Sequence, residues 1–98
     1  MITDAFAYET ITVADTAIGF TLATFQPTNS LAASRAVCTV ETAPIRMLWD
    51  GTDPTASVGE LIEPLDIFKV VGINNLKKLR MIRTGATSAT ITVVYERG

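Results

Sequence analysis

The chain contains no histidine, so the most common general base is absent, and the residues to weigh first for chemistry are its acidic groups and its single cysteine. Two acidic groupings stand out. Asp50 and Asp53 frame the tip "DGTDPT" at residues 50–55, and Glu60, Glu63 and Asp66 recur at three-residue spacing just beyond it. An oxygen-rich tip suits a hard cation or the hydroxyls of a sugar. A calcium loop, however, repeats Asp-x-Asp-x-Asp-Gly and closes with a distant bidentate glutamate. Asp50, Asp53 and Glu60 do not keep that spacing. A turn accounts for the tip without a ligand. Gly51 tolerates the positive φ a turn needs, Pro54 fixes its own φ and restricts Asp53, and Thr52, Thr55 and Ser57 can bond nearby backbone. Asp50, Thr52, Asp53 and Thr55 are therefore the candidate ligand loop, with a rigid turn as the simpler expectation. A nucleophilic Cys38 would need a base of the histidine kind. The sequence also lacks a glycine-rich phosphate loop and a zinc-type cysteine/histidine set. No catalytic residue, metal or cofactor is expected, and 98 residues leave little room for a deep cleft.

The elements that would position these residues are strands. Threonine, valine and isoleucine fit a pleated surface better than a helix, and they come in short runs punctuated by Gly, Pro, Asn, Asp and Ser. "YETITV" (8–13) reads as the first strand, with Glu9, Ile11 and Val13 on one face. "AIGFTLATF" (17–25) reads as a second, in which Gly19 marks a bulge or a close backbone approach. "QPTNSLAAS" (26–34) is a loop, with room for a short helical turn at "LAAS". "RAVCTVE" (35–41) is a strand that buries Cys38, and "IRMLWD" (45–50) is another, whose Ile45, Met47 and Trp49 face the core. "ASVGELIEPLD" (56–66) is irregular. "DIFKVVG" (66–72) turns Phe68 and Val70 inward. Asn74 or Asn75 then caps a short helical turn carrying Leu76 and Leu79. "RMIRTGA" (80–86) and "ATITVVYE" (89–96) complete the set, the last with Ile91, Val93 and Tyr95 on one face.

About seven short strands without strand–helix alternation predict an all-β fold. An antiparallel β-sandwich, immunoglobulin-like or jelly-roll-like, with at most one short helical turn is expected over a single domain, residues 1–98, and a small closed barrel is the alternative. Residues 1–7 are read either as an extended arm, anchored on a neighbour by Phe6 and Tyr8, or as the start of the first strand. Lys69, Arg80 and Arg83 are read as charges that keep an edge from pairing with other chains.

Composition narrows the partners. The net charge is −2 and the one basic cluster, Lys77, Lys78, Arg80 and Arg83, is short and free of aromatics, so nucleic acid is not an expected partner. No stretch reaches the ~18 consecutive apolar residues of a membrane helix, and "MITDAFAYETITV" lacks the basic start of a signal peptide, so neither a membrane nor a secretory route is expected. A single cysteine forms no intrachain disulfide, in keeping with synthesis in a cytoplasm. The chain is 48% hydrophobic and only 18% charged, which leaves surface for other subunits to cover.

Two resemblances attach to these residues. "IRMLWDGTDPT" resembles the strand-and-turn signature of the small immunoglobulin-like modules that follow chitobiase-type catalytic domains, and implies a sandwich rather than an activity. The span from "VETAPIRMLWDGTDPTASVG" to "MIRTGATSATITVVYERG" resembles small virion-associated proteins of tailed bacteriophages. That likeness implies a structural subunit of the particle: a capsid decoration (cement) protein, or a tail or head–tail connector component. The expected location is the virion, after synthesis in the host cytoplasm. The expected partners are the major capsid or other virion proteins and further copies of the chain, in a homo-oligomer or symmetric array. Phe6, Tyr8, Lys77, Lys78 and Arg80 are the candidate interface. The alternative is a carbohydrate or host-receptor module whose site combines loop 50–57 with "TGATS" (84–88) at one end of the sandwich.

Overall fold

The computed structural model describes residues 4–28 and 31–97. Among these, seven strands form two antiparallel sheets. The strands are β1 (Asp4–Val13), β2 (Arg35–Glu41), β3 (Ile45–Leu48), β4 (Glu60–Ile62), β5 (Ile67–Val71), β6 (Arg80–Arg83) and β7 (Ala89–Arg97). Two short helices, α1 (Leu22–Phe25) and α2 (Ile73–Lys78), interrupt them. One sheet has the order β1-β7-β2-β5 and the other β4-β3-β6. The expected all-β sandwich is what forms.

Period-two alternation builds the core between the sheets. Ile11 and Val13, Ala36, Cys38 and Val40, and Ile91, Val93 and Tyr95 point inward from the larger sheet, and Ile45, Met47 and Met81 meet them from the smaller. Each fully buried aliphatic side chain contributes about 1.5–3 kcal/mol by leaving water. Leu76 on α2 and Leu79 just after it are buried in the same core. Val70 is buried and Phe68 half-buried on β5, while Ile67, Lys69 and Val71 face out.

Several local expectations are corrected. Residues 17–25 are not a strand. Ile18 makes one isolated bridge to Met81 through two backbone bonds of 2.9 and 2.7 Å, and the chain then leaves the sheet. Gly19 passes over β6's entrance so closely that a Cβ there would lie 2.7 Å from the Leu79 carbonyl oxygen, which is the close approach its position suggested. The Glu9 carboxylate accepts bonds from the Thr21 N–H (3.1 Å) and hydroxyl (2.6 Å), and the chain coils into α1 just after this anchor. The helical turn thus falls at Leu22–Phe25 and not at "LAAS", and two helices occur where at most one turn was expected. No asparagine side chain caps α2. Gly72, at φ 98°, makes the entry turn, and the Asn75 amide donates back to the Val71 carbonyl (2.9 Å). Glu60–Ile62 pairs with β3 although it was read as irregular. Trp49 lies beyond the end of β3 and is 45% exposed, so it is no core residue.

The segment 14–18 also covers β6's outer edge, because Ala14 accepts from the Arg83 N–H and Ile18 pairs with Met81. Arg80 and Arg83 therefore sit on a strand whose edge the chain itself occupies, whereas Lys69 lies on the uncovered edge strand β5. Residues 4–7 are part of β1 and pair with β7, with a register irregularity between Ala5 and Ala7. Residues 1–3 of the arm reading lie outside the described residues.

Candidate functional site

The loop between β3 and β4 is tied down by its own bonds. Asp50 accepts the Thr52 N–H at 3.0 Å, which holds its carboxyl below the usual carboxylate range. Gly51 adopts φ 95°. The Thr55 hydroxyl accepts the N–H groups of Ser57 (3.3 Å) and Val58 (3.0 Å). Two arginines clamp the loop from the sheet behind it. Arg46 donates to the carbonyls of Ala56 (3.2 Å) and Gly59 (3.0 Å), and Arg80 donates to Asp53 at 2.8 Å. Pro54 is buried at its base. This is the rigid turn expected of Asp50, Thr52, Asp53 and Thr55, with the carboxylate of Asp53 engaged by Arg80.

The two loops proposed as one site are separated. β3 pairs with β6 so that Ile45 faces Arg83 and Leu48 faces Arg80. Residues 84–88 hence follow the Ile45 end, where residues 84–87 line a shallow hollow of about 280 Å³ with Thr42, Ala43 and Pro44. Loop 50–57 leaves from the Leu48 end. The requirement that they share one end is not met.

The candidate interface residues are distributed over three elements. Phe6 packs against the core and lies under the Arg97 guanidinium, 4.4 Å from its ring centre. Tyr8 points the other way and is 75% exposed. Lys77 and Lys78 occupy the last turn of α2, where cations complement the helix dipole. Arg80 is engaged inside the chain, bonding Asp53 and the Ala17 carbonyl (3.0 Å).

Sequence reasoning missed two features. The first is a polar cluster at the core margin: Tyr95 donates its hydroxyl to Glu9, which also holds Thr21, while Phe20 and Phe25 pack on the Tyr95 ring at 5.7 and 5.8 Å. The available signal was a carboxylate at position 9 on the same strand face as Ile11 and Val13. The second is the outer face of the larger sheet. Neither helix covers it, and it presents Tyr8, Ile67 (65% exposed) and Val71 (63% exposed) around a centre of valine and threonine. Beside β5, Trp49, Met47, Lys69 and Asn75 line a cleft of about 210 Å³. Leu65, just before β5, is 83% exposed and holds φ 74° in a Glu63–Asp66 turn, a conformation that favours Gly or Asn. Among the described residues, no group of three or more His, Cys, Asp or Glu is placed to hold a metal ion, and no helix is long and apolar enough to cross a membrane. No protein-family model, curated protein or solved structure matches the chain.

Proposed function

We propose that the chain is a non-enzymatic structural subunit of a tailed-bacteriophage virion, a decoration (cement) protein bound to the capsid surface in many copies. The observation that carries this reading is the outer face of the β1-β7-β2-β5 sheet, which among the described residues no helix covers and where large apolar side chains stand in water among threonines. Apolar surface gathered on one face stabilises association when a partner removes it from water. The fold serves as a rigid plate: the loops are pinned by Arg46 and Arg80, and recognition falls to the sheet. The bacteriophage assignment rests on the resemblance of the second half of the chain.

The test is mass-spectrometric quantification of the chain in purified particles of the phage that encodes it. Hundreds of copies per particle support decoration of the shell. A small multiple of six assigns the chain to the tail or head–tail connector, and absence from particles overturns the virion reading. Co-sedimentation of the purified chain with shells lacking it then measures binding directly.

Trp49 supplies the observation for a second reading, a carbohydrate-binding module. A half-exposed indole beside Lys69 and Asn75 offers a stacking face and polar groups together. Glycan-array binding that is lost in Trp49→Ala, but kept in Asp53→Ala, would favour it and would place the site in the β5 cleft rather than in loop 50–57.

A further inference from the structure

We propose that the outer face of the larger sheet binds a second copy of this chain, sheet against sheet, about a two-fold axis running along the strands between β7 and β2. This deepens the association reading above and rests on it for the purpose of the face, although its test needs no particle.

The strand registers define what such an axis brings together. It exchanges β7 with β2 and β1 with β5. Val37 and Val94 share one row across the sheet, as do Thr39 and Thr92, so Val37 of one copy meets Val94 of the other and Thr39 meets Thr92. Arg35 and Glu96 pair within one chain, and the axis sets each opposite the other's equivalent, closing an alternating square of four charges. Tyr8 and Lys69 end the valine row at the two edges, and the axis lays the ammonium of one copy over the phenol ring of the other. No like charges meet in this arrangement. Aligned packing at about 10 Å, with strands near −30°, is the ordinary way two twisted sheets stack.

The face also excludes other classes of occupant. Among the described residues its charged side chains are Arg35 and Lys69 against Glu41 and Glu96, which balance, so they offer no net field to nucleic acid or to an anionic membrane. Four strands about 4.8 Å apart and roughly seven residues long, with side-chain relief, let two copies bury about 1,000–1,200 Å², the lower end of specific interfaces. A reversible dimer is the expected product.

Sedimentation velocity of the full chain across micromolar to millimolar concentration tests this. A concentration-dependent species of twice the 10.5 kDa chain mass is expected. Val37→Glu, whose side chain points away from the core, should weaken dimerisation at least tenfold while leaving the circular dichroism spectrum unchanged. Arg35→Glu should weaken it, and the Arg35→Glu/Glu96→Arg pair should restore it. A wild-type chain that stays monomeric throughout overturns the proposal, and so does a dimer indifferent to Val37→Glu. A monomer whose co-sedimentation with shells is lost in Val37→Glu would assign the face to another virion protein, leaving the decoration reading standing and the dimer refuted.

Discussion

Cys38 and Tyr95 show how burial determines the chemistry of a side chain. Desolvation, reinforced by the negative charge of Glu9, pushes the Cys38 thiol from an ordinary 9.0 up to about 12. The thiolate is the reactive form, so folded protein at pH 8 should resist iodoacetamide, and label only in denaturant, as mass spectrometry will read. The same shift acts on stability. Below pH 9 folded and unfolded chains both keep the proton; between about 9 and 12 the unfolded chain releases it and the folded chain does not, so stability falls as pH rises. Tyr95, raised by burial, by its bond to Glu9 and by that residue's charge, adds a loss of the same sign above its ordinary 10.0. Urea midpoints measured from pH 8 upward should decline, and Cys38→Ala should flatten the start of that decline. Tyr95→Phe, which removes a bond to a charged acceptor, should cost about 1–3 kcal/mol in urea unfolding at pH 7. Glu9 was legible as an anomaly on an apolar strand face. Its partner lies 86 residues away, beyond the reach of any local pattern.

At the scale of elements, alternation was a sound guide where both neighbours in the sheet are regular. β2 buries every second residue, β7 does so from Ala89 to Tyr95, and β5 turns half-buried Phe68 and buried Val70 inward, so their faces could be read from the chain. The same rule failed at 17–25, where Ile18, Phe20 and Leu22 alternate but only Ile18 finds a strand to pair with. Glu9 and the Leu79 carbonyl decide the path there. Gly19→Ala should therefore destabilise by about 1–3 kcal/mol, since the new methyl meets backbone that cannot rotate away. At about 4–8 °C per kcal/mol for a domain this size, differential scanning calorimetry will resolve it. β4 was missed because three residues are too few to show a period, and Trp49 was misplaced because β3 stops at Leu48, one residue before it.

For the whole molecule, the arrangement of edges and faces matters more than any single site. The chain covers β6's edge with residues 14–18 and places Lys69 on β5, while among the described residues no helix covers the outer face of the larger sheet. If that face pairs with a second copy, unfolding is coupled to dissociation and the melting temperature depends on concentration. Thermal scans at 5 and 500 µM should differ by several degrees for the wild-type chain and coincide for Val37→Glu. Removing residues 1–7 takes away the Phe6–Arg97 contact and three strand pairs at the start of β1. A lower melting temperature with an otherwise unchanged spectrum is expected.

The sequence by itself determined the fold class, the inward faces of most strands, the burial of Cys38 and the rigid turn at Asp50–Thr55. These follow from side-chain period and turn stereochemistry, which act over a few residues. The tertiary structure alone decided that Arg80 ties a loop, that Trp49 is exposed, that loops 50–57 and 84–88 lie apart, and that Tyr8, Val94, Val37 and Lys69 form one row. Those outcomes depend on which strands become neighbours, and pairing between distant segments is governed by the whole chain's packing rather than by any stretch of it.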